Sequence, residues 1–375
     1  MLHHQIVIVG GGPVGLSMAL FLARQNKKVT VIDQGLDYSQ DARVLALSFA
    51  SKQILKQINS WNEENATPIK RVQISHAGLG ISNIDAKSLG LEDLGYTVSY
   101  AGLCKSLTDK VRINTNIELI IARVVKVTET GCYACITLED VNGEVKEITA
   151  DLVIMAEGGK LLDLNRKKIN HDYDEKAVVA RVRLKAKTDN VAYERFTEIG
   201  PLVLLPFQNE YIAVWALNAN LADDSVTDKG LFIDLLNRHY ASRLGGAKLI
   251  GDINCFPLKL VQINKRFNKR IVMIGNSAQT VHPVSAQGLN LGLRDVTVLD
   301  MLIGRFENFE SFDLTEFDQL RDRDADHVVG FTHFLATFTH RQGEINRHLR
   351  GAGLIALSNL PVIQNKIAKR LIYGS

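Results

Sequence analysis

The stretch IVIVGGGPVGLSMALFLARQNKKVTVID, residues 6–33, decides the fold. It begins with a β-branched run that predicts a strand, Ile6 to Val9, and the turn Gly10-Gly11-Gly12-Pro13-Val14-Gly15 follows. Leu16 to Gln25 has the composition of a helix, and Val29 to Ile32 predicts a second strand that ends in an acid. Strand, glycine turn, helix, strand and acid in this order are typical of a dinucleotide-binding βαβ unit. We therefore predict an α/β fold with a Rossmann-like nucleotide domain.

Three glycines of this turn each have a physical task. Gly10 makes the tight turn, Gly12 lets a pyrophosphate approach the backbone, and Gly15 lets the helix lie close to the strand. The helix N-terminus supplies free N–H groups and a positive dipole end. Asp33 closes the second strand, where its carboxylate can accept bonds from ribose hydroxyls and repels a 2′-phosphate. The unit therefore predicts FAD or NAD as the ligand rather than NADP.

The composition excludes several classes of protein. The 375 residues are 46% hydrophobic and 23% charged, which is too apolar for a disordered chain. The net charge of +3 is spread along the sequence, so we expect no nucleic acid as a partner. Four cysteines are too few for a disulfide framework, and Cys132 and Cys135 lack the second ligand pair of a zinc site, so no metal is expected. The uncharged run Ile6 to Ala23 lacks a basic leader and is interrupted by glycines, unlike a signal peptide or membrane span. We predict a cytoplasmic protein.

The middle of the chain predicts two antiparallel layers. Ile117 to Ile148 alternates apolar and polar residues around the hairpin signal Asn142-Gly143, and a buried strand then runs to Gly158-Gly159. Four further strand patterns without a long helix between them indicate a second sheet: Lys176 to Leu184, Ala192 to Glu198, Leu202 to Pro206 and Tyr211 to Leu217. This sheet is either one wall of a ligand pocket or purely structural, and the pattern leaves both interpretations open.

A second motif lies near the end of the predicted nucleotide domain. Arg270 to Asn276 predicts a short buried strand, and a loop with Pro283 leads to a helix from Gly288 to about Ile303. The N-terminus of that helix can place positive dipole charge beside an anionic ring such as reduced flavin. Here the sequence resembles the second FAD motif of the aromatic-ring flavin monooxygenases, the para-hydroxybenzoate hydroxylase class.

Other stretches are similar to the ubiquinone-biosynthesis branch of that class. Gly275-Asn276 and Ala278-Gln279 stand where most of the class has Gly-Asp and Ala-His. Asp41-Ala42-Arg43, Glu194-Arg195-Phe196-Thr197 and Leu205-Pro206 also agree with that branch. The resemblance covers nearly the whole chain.

The resemblance implies a set of cofactor-binding residues. Those for the adenosine diphosphate half of FAD are Gly10, Gly12, Gly15 and Asp33, while Arg43 would clamp the cofactor and Asn276 would contact the ribityl chain or phosphate. Those that would face the flavin ring are Gln287, Gly288, Leu289 and Asn290. No catalytic residue is assigned, and His282 is open to two interpretations, a proton-transfer group or a structural hydrogen-bonding residue.

The implied activity is hydroxylation, by O₂ through a C4a-hydroperoxyflavin, of the phenolic ring of a polyprenylated ubiquinone precursor. A second nucleotide fingerprint is absent from the sequence, so the electron donor is expected to be a transiently bound NAD(P)H or another protein. Other ubiquinone-biosynthesis enzymes are further candidate partners. Leu354 to Tyr373 reads either as an amphipathic helix touching the inner membrane or a partner, or as a packed helix.

The implied domain division is discontinuous. The FAD-binding domain takes residues 1–75, 98–170 and 265–330, the substrate domain takes 76–97 and 171–264, and 331–375 form a C-terminal helical segment. Departures from the family pattern at Glu157, Gly159 and Ala286 suggest an alternative, a scaffold subunit that has lost tight FAD binding. A related flavin epoxidase or halogenase is the other alternative, although the Trp-rich motif expected of a halogenase is missing.

Overall fold

The computed structural model describes residues 1–76, 80–159, 161, 167–186, 190–281, 287–307, 309 and 313–340. Two large sheets and one small sheet account for the strands of these residues. The helices are α1 (Pro13–Arg24), α2 (Phe49–Gln57), α3 (Tyr100–Arg112), α4 (Ala219–Thr227), α5 (Lys229–Leu244), α6 (Gly288–Ile303) and α7 (Thr315–His340). None of the described helices is both long and apolar enough to cross a bilayer.

The first sheet carries the nucleotide motif. Its strands are β1 (Leu2–Val9), β2 (Val29–Asp33), β8 (Ile117–Glu129), β9 (Ala134–Asp140), β10 (Val145–Met155), β16 (Phe267–Asn268) and β17 (Ile271–Met273). The parallel part runs in the order β8, β2, β1, β10 and β17. β9 pairs antiparallel with the far ends of β8 and β10, so the hairpin predicted at Asn142-Gly143 is confirmed.

Helix α1 is buried between this sheet and its neighbouring helices. Leucine, alanine and methionine favour a helix here, and Pro13 occupies the first position, where its missing N–H costs nothing. Leu16, Met18 and Leu22 are fully buried in a core shared with α3 and α6. This packing holds the glycine turn at the carboxyl edge of the parallel strands.

The second sheet has eight strands, in the order β18, β15, β11, β14, β13, β12, β5 and β6. They are β5 (Arg71–His76), β6 (Gly80–Asp85), β11 (Lys167–Leu184), β12 (Val191–Thr197), β13 (Gly200–Phe207), β14 (Glu210–Asn218), β15 (Ala247–Ile263) and β18 (Gln279–Thr280). One face is covered by α4 and α5, where Trp215 packs with Phe232 and Leu236. The four predicted strands therefore do form one antiparallel sheet.

A small sheet joins the two large ones. It consists of β3 (Val44–Ser48), β7 (Gly95–Ser99) and β4 (Ala66–Ile69). Val44 and Ala46 of β3 pack on the apolar cluster at the other face of the second sheet, as Val203 and Val214 do. The polypeptide just before α2 thus lies between the nucleotide layer and the second sheet.

The strand pairing crosses several predicted domain boundaries, and the domain division itself stays a prediction. β5 and β18 pair within the second sheet, although the sequence placed most of β5 and all of β18 in the FAD-binding domain. β11 begins at Lys167 and α7 at Thr315, both earlier than expected. Short strands whose partners are remote in sequence carry no local signal of the sheet they join. The C-terminal stretch Leu354 to Tyr373 lies outside the described residues.

Candidate active site

The glycine turn after β1 is shaped by two positions that exclude any side chain. Gly10 has φ +111°, and a Cβ there would lie 2.5 Å from the carbonyl oxygen of Ala156. A Cβ on Gly15 would lie 2.0 Å from the carbonyl oxygen of Gly10. These distances support the predicted tasks of Gly10 as the tight turn and Gly15 as the site of close contact between helix and strand.

Gly12 differs from both of these glycines. Its φ of −73° suits any residue, and a Cβ there would meet only the Tyr100 hydroxyl, at 3.5 Å. Gly12 is the N-cap of α1, and no side chain caps the helix or adds negative charge to its first turn. The free backbone N–H groups and the open space in front of them fit a pyrophosphate.

Asp33 lies beside this turn. Its carboxylate accepts hydrogen bonds from the N–H groups of Gly11, at 2.6 Å, and Gly35, at 2.9 Å. A carboxylate has about four lone-pair positions, so acceptor capacity remains for ribose hydroxyls. The side chain is therefore oriented at the edge of the sheet as the predicted ribose contact requires.

Arg43 approaches the turn through an aromatic contact. Its guanidinium lies 4.0 Å above the ring of Tyr100, whose hydroxyl faces Gly12, and it forms an ion pair with Asp41. The hydrogen bonds to Asp41 raise the pKa of Arg43. A permanent cation is thus positioned close to the space that fits the pyrophosphate. Tyr100 was missed in the sequence because an aromatic residue at a helix start carries no signal of its own.

The second motif packs directly on the first. Val14 of α1 lies between Gly275 and Gly292, and a Cβ on these glycines would come within 3.3 Å and 2.7 Å of the Val14 methyl groups. Gly275 also has φ +59°, so the turn needs glycine for its backbone as well. The N-terminal turns of α1 and α6 are brought together by this contact.

A buried charge network holds the second motif in place. Asp295 is fully buried and accepts hydrogen bonds from Gly275 N–H and Gln279 Nε2, both at 2.8 Å. Its other oxygen accepts from Arg321 Nε of α7 at 2.5 Å, and Arg321 also pairs with Asp324. The network fixes the turn at Gly275 to both α6 and α7.

The four residues predicted to face the flavin ring lie at the start of α6. Gln287 is its N-cap, and the space beside Gly288 is open except for Val281 at 3.9 Å. Leu289 packs against the main core. Asn290 is buried and its side chain bonds to Ser48 N–H, Ser51 Oγ and Ala46 O.

The Asn290 side chain has a structural role that the sequence did not predict. Its amide tethers α6 to the junction of β3 and α2, because a buried amide must satisfy its hydrogen bonds locally. A contact between Asn290 and the flavin would therefore come from its backbone. The flavin contacts of all four residues stay predictions.

The departures at Glu157 and Gly159 have a structural explanation. Glu157 accepts hydrogen bonds from Gly159 N–H, at 3.1 Å, and from Ser277 Oγ, at 3.0 Å, so it links the loop after β10 to the second motif. Gly159 has φ +87°, and a Cβ there would lie 3.0 Å from the carbonyl oxygen of Asn276. Ala286 and His282 lie outside the described residues.

Asn276 itself is exposed at a cavity of about 260 Å³ between the sheets. The residues that line this cavity are Gly158, Gly159, Pro257, Lys259, Val261, Asn276 and Thr280. The side chain of Asn276 is thus accessible to a ligand, as its predicted contact with the cofactor requires.

Substitution of Gly159 by alanine is expected to destabilise the protein by about 2 kcal/mol, from left-handed strain plus the contact with Asn276. Gly158→Ala is the matched control, because Gly158 has φ +86° and nothing within 4 Å of its Cβ position. It should lose only about 1 kcal/mol. Urea unfolding of both variants measures the difference, and equal losses would contradict the close contact.

Comparison with known proteins decides the family. Residues 3–308 match the family described as FAD binding domain. The chain belongs to the FAD binding domain family. FAD is therefore its cofactor, one of the two dinucleotides that the glycine turn and Asp33 predicted and the one that the family resemblance implied.

The relatives of this FAD binding domain protein agree with the resemblance drawn from its motifs. It is 27% identical to ubiquinone hydroxylase UbiM of Neisseria meningitidis, covering 99% of this chain and 85% of that protein. It is 28% identical to 3-demethoxyubiquinol 3-hydroxylase of Escherichia coli, covering 97% of each. Its fold is similar to that of p-nitrophenol 4-monooxygenase PnpA of Pseudomonas putida, with a TM-score of 0.83 and 15% identity over 100% of this chain and 99% of the other. The resemblance and the predicted fold class are confirmed.

Proposed function

We propose that this protein is an FAD-dependent monooxygenase that hydroxylates the phenolic ring of a polyprenylated ubiquinone precursor. The observation that carries the proposal is the junction of the two cofactor motifs at Val14, next to β3 and the apolar face of the second sheet. Two relatives that match nearly the whole chain are named as a ubiquinone hydroxylase and a demethoxyubiquinol hydroxylase, and these names support the substrate class.

Separate parts of the protein would bind the cofactor and position the substrate. Gly12 and the N-terminus of α1 would hold the pyrophosphate, Asp33 the ribose, and the start of α6 the ring edge that becomes anionic on reduction. When bound, FAD supplies the activation of O₂ and the transfer of one oxygen atom. The protein positions the aromatic ring and excludes water.

The second sheet supplies an apolar wall for that ring. Val179, Val203 and Val214 lie in one row across β11, β14 and β13, on the face opposite α4 and α5. Each of the three is only partly buried. An apolar wall of this kind suits an aromatic ring with a hydrocarbon tail. Electrons would come from NAD(P)H bound transiently or from a protein donor.

The proposal is tested first by the visible absorption spectrum of the purified protein and identification of the released cofactor. FAD near one equivalent is expected. Reduced holoprotein is then mixed with a polyprenylated phenol and isotope-labelled O₂, and one labelled oxygen atom is expected in the ring. FAD binding without any oxygenated product from a series of prenylated phenols would overturn the hydroxylase assignment. A protein that takes up no FAD would favour the scaffold alternative.

A further inference from the structure

One carboxyl group stands in the apolar wall described above. Glu194 lies on β12 directly between Val203 of β13 and Ile74 of β5. Val203 in turn pairs with Val214, so Glu194 continues the same row across the sheet. Its neighbours along the strand point the other way, since Tyr193 and Arg195 both contact Tyr240 of α5. Glu194 therefore faces away from α4 and α5.

That face is turned toward the cofactor motifs. Val203 and Val214 pack on the same apolar cluster as Val44 and Ala46 of β3. Three residues of β3 and α2 bond to Asn290, which lies in the first turn of α6. A ring that lies against this wall would thus have the start of α6 on one side and the Glu194 carboxyl at its edge.

The chemistry of Glu194 is unusual for a structural residue. Among the described residues it has neither a hydrogen-bond partner nor an ion-pair partner, and it is only half-buried. Desolvation by its surroundings raises the pKa of its carboxyl from 4.5 to about 7. An ionised carboxylate in such a place is costly unless a donor reaches it. A ligand bound against the partly buried wall would supply that donor.

We propose that the Glu194 carboxylate accepts the hydrogen bond of the substrate's phenol hydroxyl and thereby selects phenols that carry no acidic substituent. The inference rests on the proposed hydroxylase function and adds to it the group that recognises the ring. When the phenol ionises, its O–H bond breaks, the proton moves to a Glu194 oxygen, and the electron pair stays on the ring oxygen. The ring carbons ortho and para to that oxygen become richer in electrons, as oxygen transfer to the ring requires. A ring carboxylate would be repelled by Glu194.

Other ionisable groups on this face are placed differently. His76 lies two pairs further along β5, and Glu175 pairs with Asn218 at the end of the contact between β11 and β14. Arg181 forms an ion pair with Glu210 near Phe207. Glu194 is the one of these that stands between two apolar neighbours in the row of Val203 and Val214. A pH dependence that disappears with the Glu194 carboxyl is therefore assigned to it and not to these groups.

The test uses the FAD-loaded protein and three probes of one shape: para-hexylphenol, its methyl ether para-hexylanisole, and para-hexylbenzoate. A para-alkyl phenol keeps its proton between about pH 5.5 and about pH 8.5, as the tyrosine side chain does. Binding of the phenol should tighten by about tenfold over that range as Glu194 loses its proton, because hydrogen bonds to charged acceptors are the stronger ones. The methyl ether has no hydrogen to donate, so its affinity should not rise. Calorimetric titration measures both without a variant.

Glu194→Gln removes the charge and keeps the shape of the side chain. The variant should bind the phenol with the same affinity at all these pH values, and at about pH 8.5 it should bind the benzoate at least about tenfold tighter than the wild type does. Glu198→Gln, in the exposed turn after β12, is the matched control and should behave as wild type. FAD content and the thermal midpoint report whether each variant is folded. Loss of a merely structural carboxyl would not move phenol and benzoate affinity in opposite directions.

Two results would overturn the inference, and they differ in what they leave standing. In the first, the wild-type protein hydroxylates phenols, but Glu194→Gln keeps the wild-type pH dependence and still rejects the benzoate. This result would overturn the role of Glu194 and leave the proposed function standing. Wild-type protein that binds no phenol at any pH and oxygenates none would overturn the proposed function together with it.

Discussion

Replacement of Gly12 by aspartate is expected to abolish FAD binding while leaving the apoprotein as stable as wild type. The φ of Gly12 is ordinary, and only the Tyr100 hydroxyl lies near its Cβ position. Aspartate is a better N-cap than glycine by a few tenths of a kcal/mol, so α1 should not suffer. Its charge would stand where the pyrophosphate approaches, and like charges about 4 Å apart near a protein surface repel by about 4 kcal/mol. FAD affinity should fall at least about 100-fold, measured by titration of the apoprotein with FAD.

Two companion variants separate charge, space and fold. Gly12→Asn has the size and capping ability of aspartate without the charge, so the affinity difference between the two measures repulsion of the phosphates. Gly15→Ala places a Cβ 2.0 Å from the Gly10 carbonyl and should lower the free energy of unfolding as well as FAD affinity. Undiminished FAD affinity in Gly12→Asp would show that the pyrophosphate does not lie in front of α1.

Asp295→Asn is expected to destabilise the protein by about 3 kcal/mol and to release most of its FAD. Asp295 is fully buried and pairs with Arg321, which is 3% exposed. Removal of one member of a buried ion pair costs about 3–5 kcal/mol, and the remaining contact of Arg321 with Asp324 places this case at the low end. Asparagine would also direct an N–H₂ donor toward Gly275 N–H and Gln279 Nε2, or toward Arg321. The turn at Gly275 would therefore lose its anchor.

Chemical denaturation measures the loss of stability and the release of FAD together. FAD absorbance and far-ultraviolet circular dichroism are followed in parallel. Asp234→Asn, at an exposed position of α5, is the surface control and should change stability by less than about 0.5 kcal/mol. A stability of Asp295→Asn within that margin would mean that the buried network does not hold the second motif.

The sequence predicted those parts of the structure whose signals are local. The βαβ unit follows from glycines, an acid and apolar runs at neighbouring positions, and α6 has the predicted bounds, Gly288 to Ile303. The four strands of the second sheet were visible as alternating patterns. Each of these features depends on residues close together in the chain.

The remaining features depend on contacts between distant segments. β5 pairs with β12, and Val14 fits between Gly275 and Gly292. The local sequence around these residues does not predict either contact. Asn290 of α6 was identified as part of a motif, but the direction of its side chain is set by hydrogen bonds to Ser48 and Ala46 of the small sheet. The sequence linked Glu194 only to the family resemblance. Its proposed role follows from its position beside Val203 in the folded sheet. Site chemistry at this level requires the tertiary structure.

The order in which the chain is synthesised bears on how this protein acquires its cofactor. β10 pairs with β17, and α1 packs on α6, so the nucleotide half is closed by segments that leave the ribosome after seven of the eight strands of the second sheet. Synthesis proceeds at about 5–20 residues per second, so many seconds pass between the synthesis of α1 and that of α6. The apolar surface of α1 stays without this contact during that time. Nascent chains are expected to need chaperone protection over that interval. FAD uptake should consequently be a late event, and ribosome-bound chains that end before β17 should capture none.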